Sequence, residues 1–197
     1  MKIVDVEQNT DEWDKLRELR IGASNAQAIA ANGKGLETLV RGKMKSYYSS
    51  GEEERYYSKA MEHGHEQEST AAMLYEFKTG RKTHKVGYVI HSEHIGISPD
   101  RGVGDDGLLE IKCPADKVYF DLLLDGKIDT KYDWQMQMQM LVFGKSWCDY
   151  AVYNPNFEQE LVIMRVLPDS KKFDKLLKGF DSATKRIVEI MELMGRC

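Results

Sequence analysis

The stretch "GDDGLLEIKCP", Gly104–Pro114, sets Glu110 and Lys112 among Leu108, Leu109 and Ile111. Successive side chains along a strand point to opposite faces, so Glu110 and Lys112 share one face and Leu109 and Ile111 the other. Alternation alone fits a half-exposed edge strand with its charges in water. The residues upstream add a second possibility. Asp106-Gly107 is a turn signal, and "SPD" places Asp100 ahead of it. If the chain doubles back there, Asp100 and Glu110 meet across neighbouring strands. Carboxylates held that close repel one another and are stable chiefly with a cation between them. Hard oxygen ligands with room for water and phosphate describe a Mg²⁺ site. Lys112, on the face of Glu110, is placed to orient or deprotonate a water and to stabilise charge building on a phosphoryl oxygen.

A third carboxylate comes from the segment "KAMEHGHEQESTAAMLYEFKTG", which reads as one helix from Lys59 to Gly80. On it Gly64, Glu68, Ala71, Ala72 and Tyr75 fall on one stripe, so Glu68 interrupts a small and apolar face. An inward glutamate needs a partner, and an Arg or Tyr would serve as well as a metal.

Around these segments the chain reads as helices, then short strands, then helix, strands and a final helix. Thr10 caps a first helix carrying Trp13, Leu16 and Leu19, and Ser24 is expected to cap a second, "NAQAIAA". A basic, Tyr-rich stretch follows without an assigned element. Val86, Tyr88 and Ile90 alternate as one strand, and "HIGISPD" follows a turn. "DKVYFDLLLDG" is helical. "KYDWQMQMQMLVFG" is expected to be a helix because Asp129 or Thr130 can cap it and Gly144 ends it, although its strict Gln/Met alternation has the period of a strand. "CDYAVY" and "FEQELVIMRV" flank the turn "NPN" as paired strands. From Asp169 onward Phe173, Leu176, Leu177, Phe180, Ile187, Ile190 and Met194 form an amphipathic core helix.

The 197 residues, 42% hydrophobic and 30% charged, suit one domain spanning 1–197. No stretch is apolar enough to span a membrane and the start carries no cleavable leader, so a cytoplasmic protein is expected. Cys113, Cys148 and Cys197 are odd in number and far apart, which supports neither a disulfide framework nor a four-cysteine metal site. A net charge of −4 argues against a protein that coats DNA through broad phosphate neutralisation. Its distribution is uneven: basic residues dominate between Trp13 and Lys45 and acidic ones between Ser46 and Glu76, an arrangement suited to gripping an anion beside a metal.

"WDKLRELRIGAS", "GHEQE", "SPD", "LEIKCP" and "QMQ" together resemble, in order and spacing, the lambda exonuclease-like viral recombinase nucleases, a branch of the restriction-endonuclease-like PD-(D/E)xK superfamily. The resemblance runs from Trp13 to Gly144. It implies an α/β fold with a mixed central sheet flanked by helices. It also implies a Mg²⁺-dependent 5′-to-3′ exonuclease on double-stranded DNA ends, with Mn²⁺ as a substitute and two ions per site. Such an enzyme would work as a homotrimeric ring in a phage or prophage setting, with a single-strand annealing protein as partner. Carried over by position, Asp100, Glu110, the Ile111 carbonyl and Glu68 would hold metal, and Lys112 would be the catalytic lysine. Gln137 would lie near the attacking water with Gln135 as companion, and Arg17 and Ser24 would hold the 5′-phosphate. Met61 would match an apolar wedge at the terminal base pair. One departure stands out: the family places Gly directly after "SPD", whereas here Arg101 precedes Gly102 and could contact the scissile strand or tilt the loop. A related endonuclease and a non-catalytic DNA-end-binding accessory protein are the rival readings.

Overall fold

The computed structural model describes residues 1–49 and 59–195, with side chains from Gln67 onward in the helix that opens the second stretch. The N-terminal half holds β1 (Lys2–Val4), α1 (Asp11–Arg17), a 3₁₀ turn (Ala23–Asn25), α2 (Ala26–Ala31), α3 (Lys34–Tyr48) and α4 (Lys59–Thr79). Strands β2 (Thr83–Lys85), β3 (Tyr88–Ile90), β4 (Gly96–Ile97), β5 (Arg101–Val103) and β6 (Gly107–Lys112) follow. The chain continues through α5 (Asp116–Asp125), α6 (Thr130–Phe143), β7 (Trp147–Tyr153), β8 (Leu161–Val166) and α7 (Ser170–Leu193).

The central sheet has the order β2-β5-β6-β7-β8, with β6 and β7 parallel and the other neighbours antiparallel. It is the mixed sheet flanked by helices that the sequence implies. The Asp106-Gly107 turn does close a hairpin, which pairs Arg101 with Leu109 and Val103 with Gly107. β6 is the middle strand and not an edge. Along it the faces alternate as expected, but both are covered. Leu108 joins Tyr150, Met136, Met140 and Phe180 on one side, while Leu109 and Ile111 pack with Ala71, Ala72 and Tyr75 of α4 on the other. The reading of Glu110 as a wet edge residue therefore fails, because it is fully buried.

Several local expectations change for physical reasons. The unassigned basic stretch is helix α3: Leu36, Val40 and Met44, spaced four apart, bury one stripe while its lysines stay outside. Ser24 caps nothing. It lies exposed inside the 3₁₀ turn, whose N-cap position is Gly22, and Asn25 precedes α2. The expected strand through Val86, Tyr88 and Ile90 begins only at Tyr88: Val86 and Gly87 link β2 of the central sheet to β3, which pairs with β1 and β4 in a second sheet. The crossover falls at Gly87, where a Cβ would lie 2.4 Å from the Val4 carbonyl oxygen. α6 is helical despite the Gln/Met alternation, its Asp129 side chain capping the Lys131 amide. β8 begins at Leu161, later than expected. Leu177 in α7 and Met194 just beyond its end stand exposed and leave Leu176, Phe180, Ala183 and Ile187 in the buried stripe. Cys113 and Cys148 are free thiols, and among the described residues no helix is long and apolar enough to cross a membrane.

Candidate active site

A carboxylate buried on a central strand needs donors on every lone pair it turns inward, and Glu110 has them. Its Oε1 accepts from Lys112 Nζ at 2.5 Å and from Gln135 Nε2 at 2.6 Å, and its Oε2 accepts from Gln139 Nε2 at 2.7 Å. Gln135 and Gln139 are one helical turn apart on α6, so they descend on Glu110 from the same face. Lys112 continues outward, its ammonium 5.3 Å from the ring centre of Tyr132, which stacks in turn on Tyr150. Gln137 is not part of this group. It points away from Glu110, donating to the Leu167 carbonyl at 2.9 Å and accepting from the Asp169 amide, so it fastens α6 to the start of α7. Of the glutamines on α6 it is Gln135 and Gln139, not Gln137, whose side chains reach Glu110.

Asp100 lies just before Arg101 opens β5, on the neighbouring strand to β6, and its Oδ2 accepts from the Ile111 amide at 2.7 Å. Burial, reinforced by the Glu110 and Glu68 carboxylates, holds its carboxyl well above the ordinary range against the opposing pull of Lys112 and the Ile111 amide. Glu68 thus reaches this corner from α4. For Lys112, burial works against the charge, but Glu110 and Asp100 outweigh it and keep the ammonium firmly protonated. Burial, then Glu68, pushes the adjacent Cys113 thiol up to about 12, which makes it inert as a nucleophile. Among the described residues no three acidic, His or Cys side chains converge as a finished metal shell, because Glu110 and Asp100 are turned to protein donors. The chemistry of the donors nevertheless suits a hard divalent cation: all are carboxylate oxygens, Asp100 and Glu110 face each other across the hairpin with Lys112 bonded to Glu110, and Glu68 lines the cleft beside Asp100.

The sequence profile of the YqaJ-like viral recombinase domain matches residues 12–146. The chain belongs to the YqaJ-like viral recombinase family. Among solved structures, an alkaline exonuclease from Laribacter hongkongensis superimposes on it with a TM-score of 0.87 at 26% identity, covering 95% of this chain and 97% of that one. A complex of that exonuclease with dAMP matches equally well. A phage related exonuclease from Haemophilus somnus 129PT shares the fold at 18% identity, with a TM-score of 0.67 over 92% of this chain and 99% of the other. No curated protein gives a significant match to the sequence. Family and fold together support a nuclease that acts in recombination.

In this YqaJ-like chain the remaining expected residues are placed unequally. Arg17 ends α1 with its guanidinium 3.9 Å over the Trp13 ring, and Trp13 Nε1 donates to Ser98 Oγ at 2.9 Å, which ties α1 to the segment carrying Asp100. Ser24 follows Ile21, which is bridged to Ile95 beside β4. Met61 lies outside the described side chains. Arg101 enters β5 in regular register with Lys85 and Leu109.

Two features escaped the sequence. Gln139 contacts Glu110 directly; once α6 is a helix, its spacing from Gln135 is the signal. The other is a buried group centred on Asp149, whose carboxylate accepts from Tyr75 Oη at 2.7 Å and, in two-pronged fashion, from Arg165 Nε at 2.8 Å and its terminal nitrogen at 2.9 Å. Tyr75 lies two turns beyond Glu68, so this group pins α4 to β7 and β8 and sets the height at which Glu68 enters. Replacing Gln139 with Leu is expected to leave Glu110 one donor short, lowering the hydrolysis rate at least tenfold while costing about 1–3 kcal/mol of stability. Gln137→Ala should cost a similar amount of stability with little change in rate. Parallel rate and thermal-unfolding measurements separate the two.

Proposed function

We propose that this chain is a Mg²⁺-dependent exonuclease that degrades linear double-stranded DNA from its 5′ ends. It releases 5′-mononucleotides and leaves 3′ single-stranded overhangs for annealing by a partner protein. The observation that carries the reading is Glu110, fully buried on the central strand beside Lys112, with Asp100 across the hairpin and Glu68 arriving from α4. The alkaline exonuclease likeness supports it, as does the complex of that relative with dAMP.

Asp100, Glu110, Glu68 and the Ile111 carbonyl are the groups that would hold one or two divalent ions. A bound ion of this kind supplies Lewis acidity and makes water a better nucleophile. Lys112, being charged, orients that water and neutralises the phosphoryl oxygens as charge builds on them. Gln135 and Gln139 fix both oxygens of Glu110. Arg17 and Ser24 hold the 5′-phosphate of the strand being cut, the planar guanidinium of Arg17 being suited to two phosphate oxygens. Closure of three copies into a ring would keep an acidic chain on DNA without a broad basic surface.

Metal must displace the proton that Asp100 retains above the ordinary carboxylate range, so proton and metal compete. Apparent Mg²⁺ affinity is therefore expected to rise with pH through neutrality, as read by Mg²⁺-induced shifts in melting temperature; an affinity that is flat from pH 6 upward contradicts this placement of Asp100. Polarity is tested with linear duplexes labelled at one end at a time, with and without a 5′-phosphate. Label should leave from 5′ ends first and faster with the phosphate present, while a covalently closed circle survives. Loss from 3′ ends, or opening of the circle, would replace this reading with another nuclease activity.

A further inference from the structure

Arg101, the residue by which the chain departs from the pattern it resembles, is paired in register with Lys85 of β2 and Leu109 of β6. Directly opposed residues on antiparallel strands share a face. Arg101 and Lys85 therefore lie with Leu109 on the side of the sheet that α4 covers, the side from which Glu68 enters. With Glu68, Asp100 and the segment around Gln8 they line a cleft of about 390 Å³, within the size range of small-ligand sites. Its wall is built rather than loose. Gln8 Nε2 donates to both the Val86 carbonyl at 2.9 Å and the Pro99 carbonyl at 3.0 Å, next to Asp100. Close packing of the N-terminal segment on Gly87 fixes the same wall.

Charge in this cleft is unusual. Arg101 Nε is buried and, among the described residues, meets no acceptor, although two carboxylates line the same space. A buried donor left unmade is unfavourable, so a guanidinium held this way is poised for an acceptor that comes from outside the chain. Lys85 stands exposed across the strand pair. Asp5 and Glu7, the other acids of the cleft, are exposed at its rim and well solvated.

The geometry points to a second phosphate subsite, in which Arg101 and Lys85 bind a nucleic-acid phosphate adjoining the one being hydrolysed. This rests on the nuclease reading above. The arginine fork matches two phosphate oxygens and the lysine adds a point charge. Asp100 and Glu68 would repel that phosphate until a cation neutralises them, so the subsite is complete when the metal site is filled.

The test uses the full chain with Arg101→Ala, Lys85→Ala and Arg101→Lys, each checked for an unchanged melting temperature. Duplex binding is read by anisotropy across a salt series in a Lys112→Ala background, and steady-state hydrolysis in the otherwise native chain. Each alanine variant should reduce the slope of log affinity against log salt by about one and raise KM about tenfold, with kcat within about twofold. Arg101→Lys should keep the slope. Inhibition by dAMP forms a second arm: weaker inhibition of Arg101→Ala with an unchanged duplex KM assigns the subsite to the released nucleotide's phosphate. Native slope, KM and dAMP inhibition in both alanine variants would overturn the proposal. Failure of the native chain to release nucleotides, with the salt slopes still differing, would instead count against the nuclease reading alone.

Discussion

Replacing Lys112 with Ala is expected to lower the rate of DNA hydrolysis by about three orders of magnitude while duplex affinity changes no more than a few-fold. The size follows from the position of the ammonium. It is 2.5 Å from Glu110 Oε1 and 5.3 Å from the Tyr132 ring centre, with its side chain 26% exposed at the mouth of the site. Glu110 and Asp100 hold it charged against the effect of burial, which suits it to orient water and to stabilise developing charge. The variant should fold, because Gln135 and Gln139 still satisfy Glu110. Single-turnover rates beside anisotropy measure the two effects separately; a rate within threefold of native would remove Lys112 from the reaction.

Arg165→Met is expected to destabilise the fold by about 3 kcal/mol, because it leaves the buried Asp149 carboxylate with Tyr75 alone. For a chain of this length that corresponds to a melting temperature lower by roughly 6–12 °C. Adding Asp149→Asn should recover much of the loss, since a neutral amide in that position no longer needs a cation. The Arg165 guanidinium also lies 3.9 Å over the Trp147 ring, so part of the loss that Asn does not restore measures this stacking. Because Tyr75 seats α4, the single variant should also weaken Mg²⁺ binding at Glu68. Recovery of melting temperature without recovery of Mg²⁺ affinity in the double variant would show that Arg165 acts beyond neutralising Asp149.

The hairpin around Glu110 was legible because its signals are local: a turn pair, a period of two and a charge out of place. Strand pairing could not say which strands cover β6, so the same pattern fitted an edge, and only β7, in parallel register from Gly107 to Lys112, makes it central. α6 was legible from its caps, yet the resemblance drew attention to Gln137, whereas helical geometry brings Gln135 and Gln139 to Glu110. The Tyr75–Asp149–Arg165 group joins residues 74 and 16 positions apart, a separation at which no periodicity carries information. α3 was missed for another reason. Its buried stripe of Leu36, Val40 and Met44 is regular, but lysines and tyrosines around it mask the pattern.

The most direct test of the central claim is nucleotide release from a uniformly labelled linear duplex by the native chain and by Asp100→Asn. Each is assayed with Mg²⁺, with chelator, and after Mg²⁺ is restored. The native chain should release 5′-mononucleotides with Mg²⁺, stop with chelator and resume on restoration, and Asp100→Asn should release none in any condition. Release that ignores the chelator, or that survives in Asp100→Asn at the native rate, would contradict a metal-dependent nuclease site at Asp100, Glu110 and Lys112.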